Sequence, residues 1–228
     1  AGSGADGTSS PALSFRELVR SGRWLLVMAV VPFGASFVGA ILIVELAGPE
    51  AMGFAEAARV AAQPILVAGT GLSAVLGPRG IEAAIQHDYA RARRVQRLFL
   101  GLVLGGGLLY MLVAGHPWVG NPMVYLVPRA YEVTGLVAVT IVAHTITAAA
   151  VQYSSELMGG RKEIELMRMS LIASPFLLVG SATAAATQSF ARALGIILEG
   201  SVRYGLYGVA RRRMYREFAE AEPAAAQD

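Results

Sequence analysis

Apolar stretches of about 20 residues, separated by short charged segments, constrain the fold of this sequence more than any other feature. A helix needs roughly 20 consecutive apolar residues to cross the hydrocarbon core of a bilayer. Charged residues make up 15% of the chain, against about 25% in soluble domains. The pattern therefore predicts an all-α, polytopic transmembrane bundle.

The apolar stretches predict six transmembrane spans. They cover about residues 24–46, 55–76, 98–115, 132–158, 169–188 and 193–210. Residues 1–22 have the pattern of a polar linker followed by a short amphipathic helix on the membrane surface. The predicted organisation is thus a cytoplasmic linker and surface helix at 1–22, a six-span bundle at 23–213 and a cytoplasmic polar tail at 214–228.

Arginine and lysine are distributed unevenly between the two ends of the predicted bundle. Fifteen lie at one end and three at the other, with Arg203 inside a span. The smaller group is Arg59, Arg129 and Arg192. Because loops rich in arginine and lysine stay in the cytoplasm during insertion, both termini are expected there. The net charge of +3 then reflects membrane orientation and not a nucleic-acid partner.

The residue usage of the chain also indicates where it is found. Lys162 is the single lysine beside 18 arginines, and Ala and Gly are abundant. This usage is typical of a GC-rich bacterial genome. A bacterial protein is therefore expected, and the family resemblance given below implies the inner (cytoplasmic) membrane as its location.

The basic segment 79–97 has the pattern of a helix lying along the inner membrane surface. Ile81, Ile85 and Tyr89 recur every four residues, with arginines opposite them. Two roles are open for this segment: anchoring to anionic lipid and docking of a cytoplasmic partner. Prolines at 32, 64 and 175 fall inside spans, where each favours either a static kink or a hinge.

Ionisable and amide side chains at membrane depth are the candidate functional residues, because each is costly in lipid. Glu56, Arg59 and Gln63 lie in the outer half of the second span, and His144 lies near the middle of the fourth. Glu199 and Arg203 are four apart in the sixth span, so they share a helix face and can pair. Structural roles remain open for them: a hydrogen-bonded histidine, an intrahelical ion pair and an arginine reaching the interface.

Several kinds of chemistry have no residues to support them. The chain has no cysteine, no Gly-rich phosphate loop ending in Gly-Lys and no nucleophile placed beside a base. Its three histidines, at 87, 116 and 144, fall at different predicted depths and cannot form one metal site. We therefore expect no metal, no cofactor and no enzymatic activity.

Two stretches of the sequence resemble a known family. SFRELVRSGRWLLVMAVVPFGAS is followed by ELAGPEAMGFAEAARVAAQP, which gives a basic lead, a span and the turn Ala47–Gly53. LSAVLGPRGIEAAIQHDYARARRVQRLFL carries a second pattern, formed by Pro78, Asp88, Ala92, Arg93 and Arg94. Both resemble Wzx-like bacterial polysaccharide flippases of the multidrug/oligosaccharidyl-lipid/polysaccharide (MOP) superfamily, which includes the MATE transporters.

The resemblance implies a fold and an activity. The six spans would form one MOP/MATE-like lobe, the C-terminal one, of a two-lobe flippase. Its activity would be the transfer of a lipid-linked oligosaccharide or polysaccharide precursor across the inner membrane by alternating access. The implied partners are the lipid-linked glycan, membrane lipid, and a second six-helix lobe or a homodimer partner.

If the chain has this flippase activity, the residues at membrane depth are candidates for two roles, substrate binding and ion coupling. Arg59, Gln63 and Arg203 become candidates for substrate binding, and His144 and Glu199 candidates for ion coupling. A MATE-type drug/cation antiporter is a competing hypothesis that needs a carboxylate in its cavity, for which Glu45 and Glu199 are available. A non-transporting permease subunit or scaffold is a third hypothesis. A membrane-embedded glycan enzyme is a fourth, which the absence of catalytic residues disfavours.

Overall fold

The computed structural model describes residues 15–115, 121, 133 and 135–225, and every regular element within them is helical. The six α-helices are α1 (Phe15–Ala47), α2 (Pro49–Ile85), α3 (Tyr89–Ala114), α4 (Leu136–Gly159), α5 (Glu163–Thr183) and α6 (Ala191–Ala225). A short 3-10 helix, Ala185–Phe190, joins α5 to α6. The predicted linker at 1–14, most of the loop between α3 and α4, and residues 226–228 lie outside the described residues.

Five of these helices, α1 to α5, are long and apolar enough to cross a membrane. The sixth, α6, is long enough but not apolar enough by the same criterion. It carries Glu199 and Arg203 within its apolar part. The prediction of an all-helical chain is confirmed for the described residues, and so is the prediction that several helices are long and apolar enough to span a membrane. α2, with 37 residues, is about 55 Å long and so exceeds the roughly 30 Å hydrocarbon core.

The helices alternate in direction. Gly69 and Gly77 of α2 lie against Ala148 and Ser155 of α4, so these two helices run the same way. α6 is parallel to α4, with Gly200 beside Thr147 and Gly208 beside Tyr153. α3 runs against α4, with Gly107 beside Thr145 and Gly115 beside Ala138. The start of α1 and the end of α6 therefore lie at the same end of the bundle, here called the inner end.

The prediction of one surface helix over residues 79–97 is wrong. α2 continues through Pro78 to Ile85, the chain turns at His87 with a φ of 56°, and α3 begins at Tyr89. Asp88 caps the start of α3, because its carboxylate accepts a hydrogen bond of 2.8 Å from the backbone N–H of Arg91. The four-residue apolar repeat thus belongs to two helices and not to one.

Two further boundaries differ from the prediction. α1 runs unbroken from Phe15 to Ala47, so the amphipathic lead and the first span are one helix. α6 continues beyond the arginines at 211–213 to Ala225, and Met214 and Tyr215 are buried. Packing therefore extends past residue 213, where the sequence predicted the bundle to end.

Candidate functional site

Charged and polar residues converge at the outer end of the bundle, where α1, α2, α4 and α6 meet. α2 contributes Glu56 and Arg59, α4 contributes His144, the 3-10 helix contributes Ser189, and the start of α6 contributes Arg192. We call these five residues the outer cluster. Small residues on α2 allow the neighbouring helices to approach: Ala55, Ala58, Ala61 and Ala62 are all buried.

Glu56 joins the two arginines of the outer cluster. One of its carboxylate oxygens lies 2.5 Å from the Nε of Arg59, and the other lies 3.3 Å from an Nη of Arg192. The second Nη of Arg192 donates a 3.3 Å hydrogen bond to the hydroxyl of Ser36 in α1. Two guanidinium groups share one carboxylate, so the cluster carries a net positive charge.

A small pocket lies beside this ion pair, with a cavity volume of about 10 Å³, which is room for about one water molecule. Its walls include Arg59, Arg192, Ser189 and His144. His144 is 6% exposed, and its Nε2 has no hydrogen-bond partner. A buried nitrogen without a partner is costly, so His144 carries an unsatisfied polar atom inside the bundle.

The connection between α5 and α6 places two of the pocket residues. Within the 3-10 helix, Gln188 has a φ of 50° and a ψ of −104°, outside the usual regions for a residue with a side chain. This kink changes the direction of the chain immediately before Ser189. As a result, Ser189 at the end of the 3-10 helix and Arg192 at the start of α6 both lie in the pocket wall with residues of α2 and α4.

Arg59 also lines a second, open groove along the outward face of α2. This groove has a volume of about 430 Å³. Its lining residues are Arg59, Gln63, Leu66, Val67, Thr70 and Gly71. The structure thus brings Arg59 and Gln63 together on one surface, as the sequence placed them, and Arg59 lines both the groove and the pocket.

Glu199 and Arg203 lie apart from this site. They form an ion pair within α6, as their spacing predicted, and both side chains are largely buried. Neither residue lines the outer pocket or the α2 groove. The five residues predicted for the site are therefore divided: Arg59, Gln63 and His144 lie around the outer cluster, and Glu199 and Arg203 form a separate pair.

Sequence reasoning missed Arg192 as a member of the site, and it identified Glu56 by its depth without assigning it a role. A usable signal was present in the charge distribution. Arg192 is one of only three basic residues at the predicted outer end, where arginine is disfavoured, and Arg59 is another. Residues that depart from the orientation rule are candidates for function, and here two of the three meet in one pocket.

A second polar cluster lies at the inner end. Glu156 of α4 is fully buried and pairs with Arg211 of α6, at 2.5 Å from oxygen to Nε. The guanidinium of Arg211 lies 5.2 to 5.7 Å from the ring centres of Tyr89, Tyr153 and Tyr215. This inner cluster joins α3, α4 and α6 near the ends of the chain.

Comparisons with known proteins give no relative: no family model, curated protein or solved structure matches the chain. Within the described residues, no group of three histidine, cysteine or acidic side chains is placed to hold a metal ion.

Proposed function

We propose that the chain is one six-helix lobe of a flippase in the bacterial inner membrane, with both termini in the cytoplasm. Its substrate would be a lipid-linked oligosaccharide or polysaccharide precursor, moved by alternating access. The outer cluster is the observation that carries this proposal. A pocket containing two arginines, one shared carboxylate and an unpartnered histidine nitrogen lies inside a bundle of membrane-spanning helices.

The chemistry of the outer cluster favours an anionic ligand. Guanidinium groups donate parallel hydrogen bonds that match phosphate oxygens, and a buried arginine interacts more strongly with an anion than one in water. Lipid carriers of glycans are linked to their sugars through phosphate groups. A positive cluster at membrane depth, whose Arg59 also lines a groove with Gln63 and Thr70, offers charged contacts to the phosphate groups and polar contacts to the sugar.

The groove on α2 also supports the proposal of a second lobe. It is open on one side, and several of its residues are exposed although α2 is a candidate membrane span: Gln63, Val67, Thr70 and Gly71. Polar groups facing hydrocarbon are costly. A second six-helix lobe, or a second copy of the chain, would convert this face into one wall of a hydrated cavity.

A MATE-type cation antiporter is less well supported by the same geometry. Such a transporter needs a carboxylate free to bind its cation. Glu199 is paired with Arg203, and Glu56 lies between two arginines. Glu45 is exposed on α1 and lines neither the outer pocket nor the groove, so it is not placed to bind a cation there.

The test is a flipping assay in proteoliposomes with a fluorescent polyprenyl-diphosphate-linked sugar. The chain is reconstituted alone and together with its candidate second lobe. We expect Arg59→Gln and Arg192→Gln each to lower the initial flipping rate by roughly tenfold, from the loss of one charged hydrogen-bond donor.

Arg212→Gln is the matched control, because it removes the same charge from an exposed position near the inner end. Equal rates for all three variants would contradict the role of the outer cluster. Absence of flipping in every reconstitution, with folded protein, would contradict the flippase proposal itself.

A further inference from the structure

Glu56 occupies the space between the two arginines of the outer cluster. Each of its oxygens faces a different guanidinium group, at 2.5 Å from Arg59 and 3.3 Å from Arg192. This is also the arrangement by which two arginines hold a phosphate group, with one oxygen to each. The carboxylate therefore satisfies the donors that an anionic ligand would need.

The three side chains differ in how much of their surface is exposed, and this decides which of them can move when a ligand binds. The side chain of Arg192 is 14% exposed and has a second partner in Ser36, so its position is fixed on two sides. The side chains of Glu56 and Arg59 are 36% and 40% exposed. Because both side chains are partly exposed, Glu56 has space to move away from the arginines.

The pocket beside the cluster supplies contacts that Glu56 does not use. His144 and Ser189 both line it, and the buried Nε2 of His144 has no hydrogen-bond partner. A phosphate group has more oxygens than a carboxylate. It can accept from both arginines and still have an oxygen left for a polar group at the edge of the pocket.

We propose that Glu56 is an internal competitor of the ligand: it holds Arg59 and Arg192 when the site is empty and is displaced by a phosphate group when the site fills. The inference rests on the proposed anion site of the flippase. In this arrangement, Glu56 weakens binding of the phosphate group. Its carboxylate opposes the ligand and returns to the arginines on release, which prevents the head group from being trapped.

The test measures binding of two phosphate probes to the full-length chain in nanodiscs of neutral lipid. Inorganic pyrophosphate represents a free anion, and farnesyl diphosphate represents an isoprenoid lipid head group. Because a like charge next to the ligand is removed, Glu56→Gln is expected to tighten binding of farnesyl diphosphate by about tenfold. Tighter binding of both probes identifies phosphate alone as the ligand feature, and tighter binding of farnesyl diphosphate alone identifies a lipid head group.

Glu82→Gln is the matched control. Glu82 lies on the same helix at the inner end and pairs with Arg91 at 2.7 Å, so the variant removes the same charge far from the pocket. Glu56→Asp is a second variant, whose shorter side chain cannot reach both arginines equally. It is expected to bind the probe with an affinity between those of the wild type and Glu56→Gln.

Unchanged or weaker binding in folded Glu56→Gln and Glu56→Asp would overturn the inference, as would equal tightening in Glu82→Gln. Folding of each variant is checked by its thermal melting in the absence of probe. The measurement requires no transport. If Glu56→Gln binds farnesyl diphosphate more tightly but proteoliposomes show no flipping, the role of Glu56 as a competitor is supported and the proposed flippase activity is contradicted.

Discussion

Glu156→Gln should be among the most destabilising single charge changes in the inner cluster. The Glu156 side chain has no exposed surface and that of Arg211 is 7% exposed, so the substitution leaves a buried guanidinium without its counter-ion. Loss of one partner from a buried ion pair costs about 3–5 kcal/mol of unfolding free energy. Three tyrosine rings still contact Arg211 and stabilise the cation, which places the expected cost near the lower limit, about 3 kcal/mol.

The cost is measured as the change in unfolding free energy in mixed detergent micelles with increasing SDS. Arg213→Gln is the control: its side chain is 71% exposed and pairs with Glu217 at 3.1 Å, so about 0–1 kcal/mol is expected. In the double variant Glu156→Gln/Arg211→Met, most of the lost stability should return, because no buried charge remains. The reasoning is refuted if Glu156→Gln costs no more than Arg213→Gln.

Two other predictions concern helix packing and pH. An alanine at Gly69 would place its Cβ 2.9 Å from the Cβ of Ala148, so Gly69→Ala should destabilise the bundle by about 1–3 kcal/mol in the same unfolding assay. Gly71→Ala meets no neighbour and should be neutral or stabilising by up to about 1 kcal/mol, and equal effects at the two positions would contradict the packing. A hydrogen bond from Lys162 holds the pKa of Glu217 below its ordinary value of 4.5. The stabilisation is therefore present above that value and is lost as the pH falls through the folded pKa. In an NMR titration of the Glu217 carboxyl, Lys162→Met should raise this pKa, and an unchanged midpoint would show that the contact is absent.

The sequence predicted the parts of the fold that depend on local pattern. Apolar stretches of sufficient length located the helices, and the four-residue spacing of Glu199 and Arg203 predicted their ion pair. Helix ends were predicted less well, because an apolar repeat does not reveal a turn such as the one at His87. That turn depends on a capping side chain, Asp88, whose signal is weaker than the repeat around it.

The outer cluster could be predicted only in part. Arg59 and His144 were found from the cost of placing them in a membrane. Their association with Arg192 depends on how distant helices pack, since Arg192 meets Ser36 of α1 across 156 residues of sequence. Charge counting identifies Arg59 and Arg192 as unusual, but only the packing of α2 against α6 brings both to Glu56.

A positive cluster at the outer end of the bundle, which the proposed topology places on the outer side of the membrane, is the central claim, and the charge selectivity of a single thiol tests it most directly. The chain has no cysteine, so Ser189→Cys places one thiol in the wall of the pocket. In intact cells, a negatively charged, membrane-impermeant methanethiosulfonate should modify this thiol faster than a positively charged one, and Arg59→Gln should reduce the difference. Faster reaction with the cationic reagent, or modification only after the cells are permeabilised, would contradict the claim.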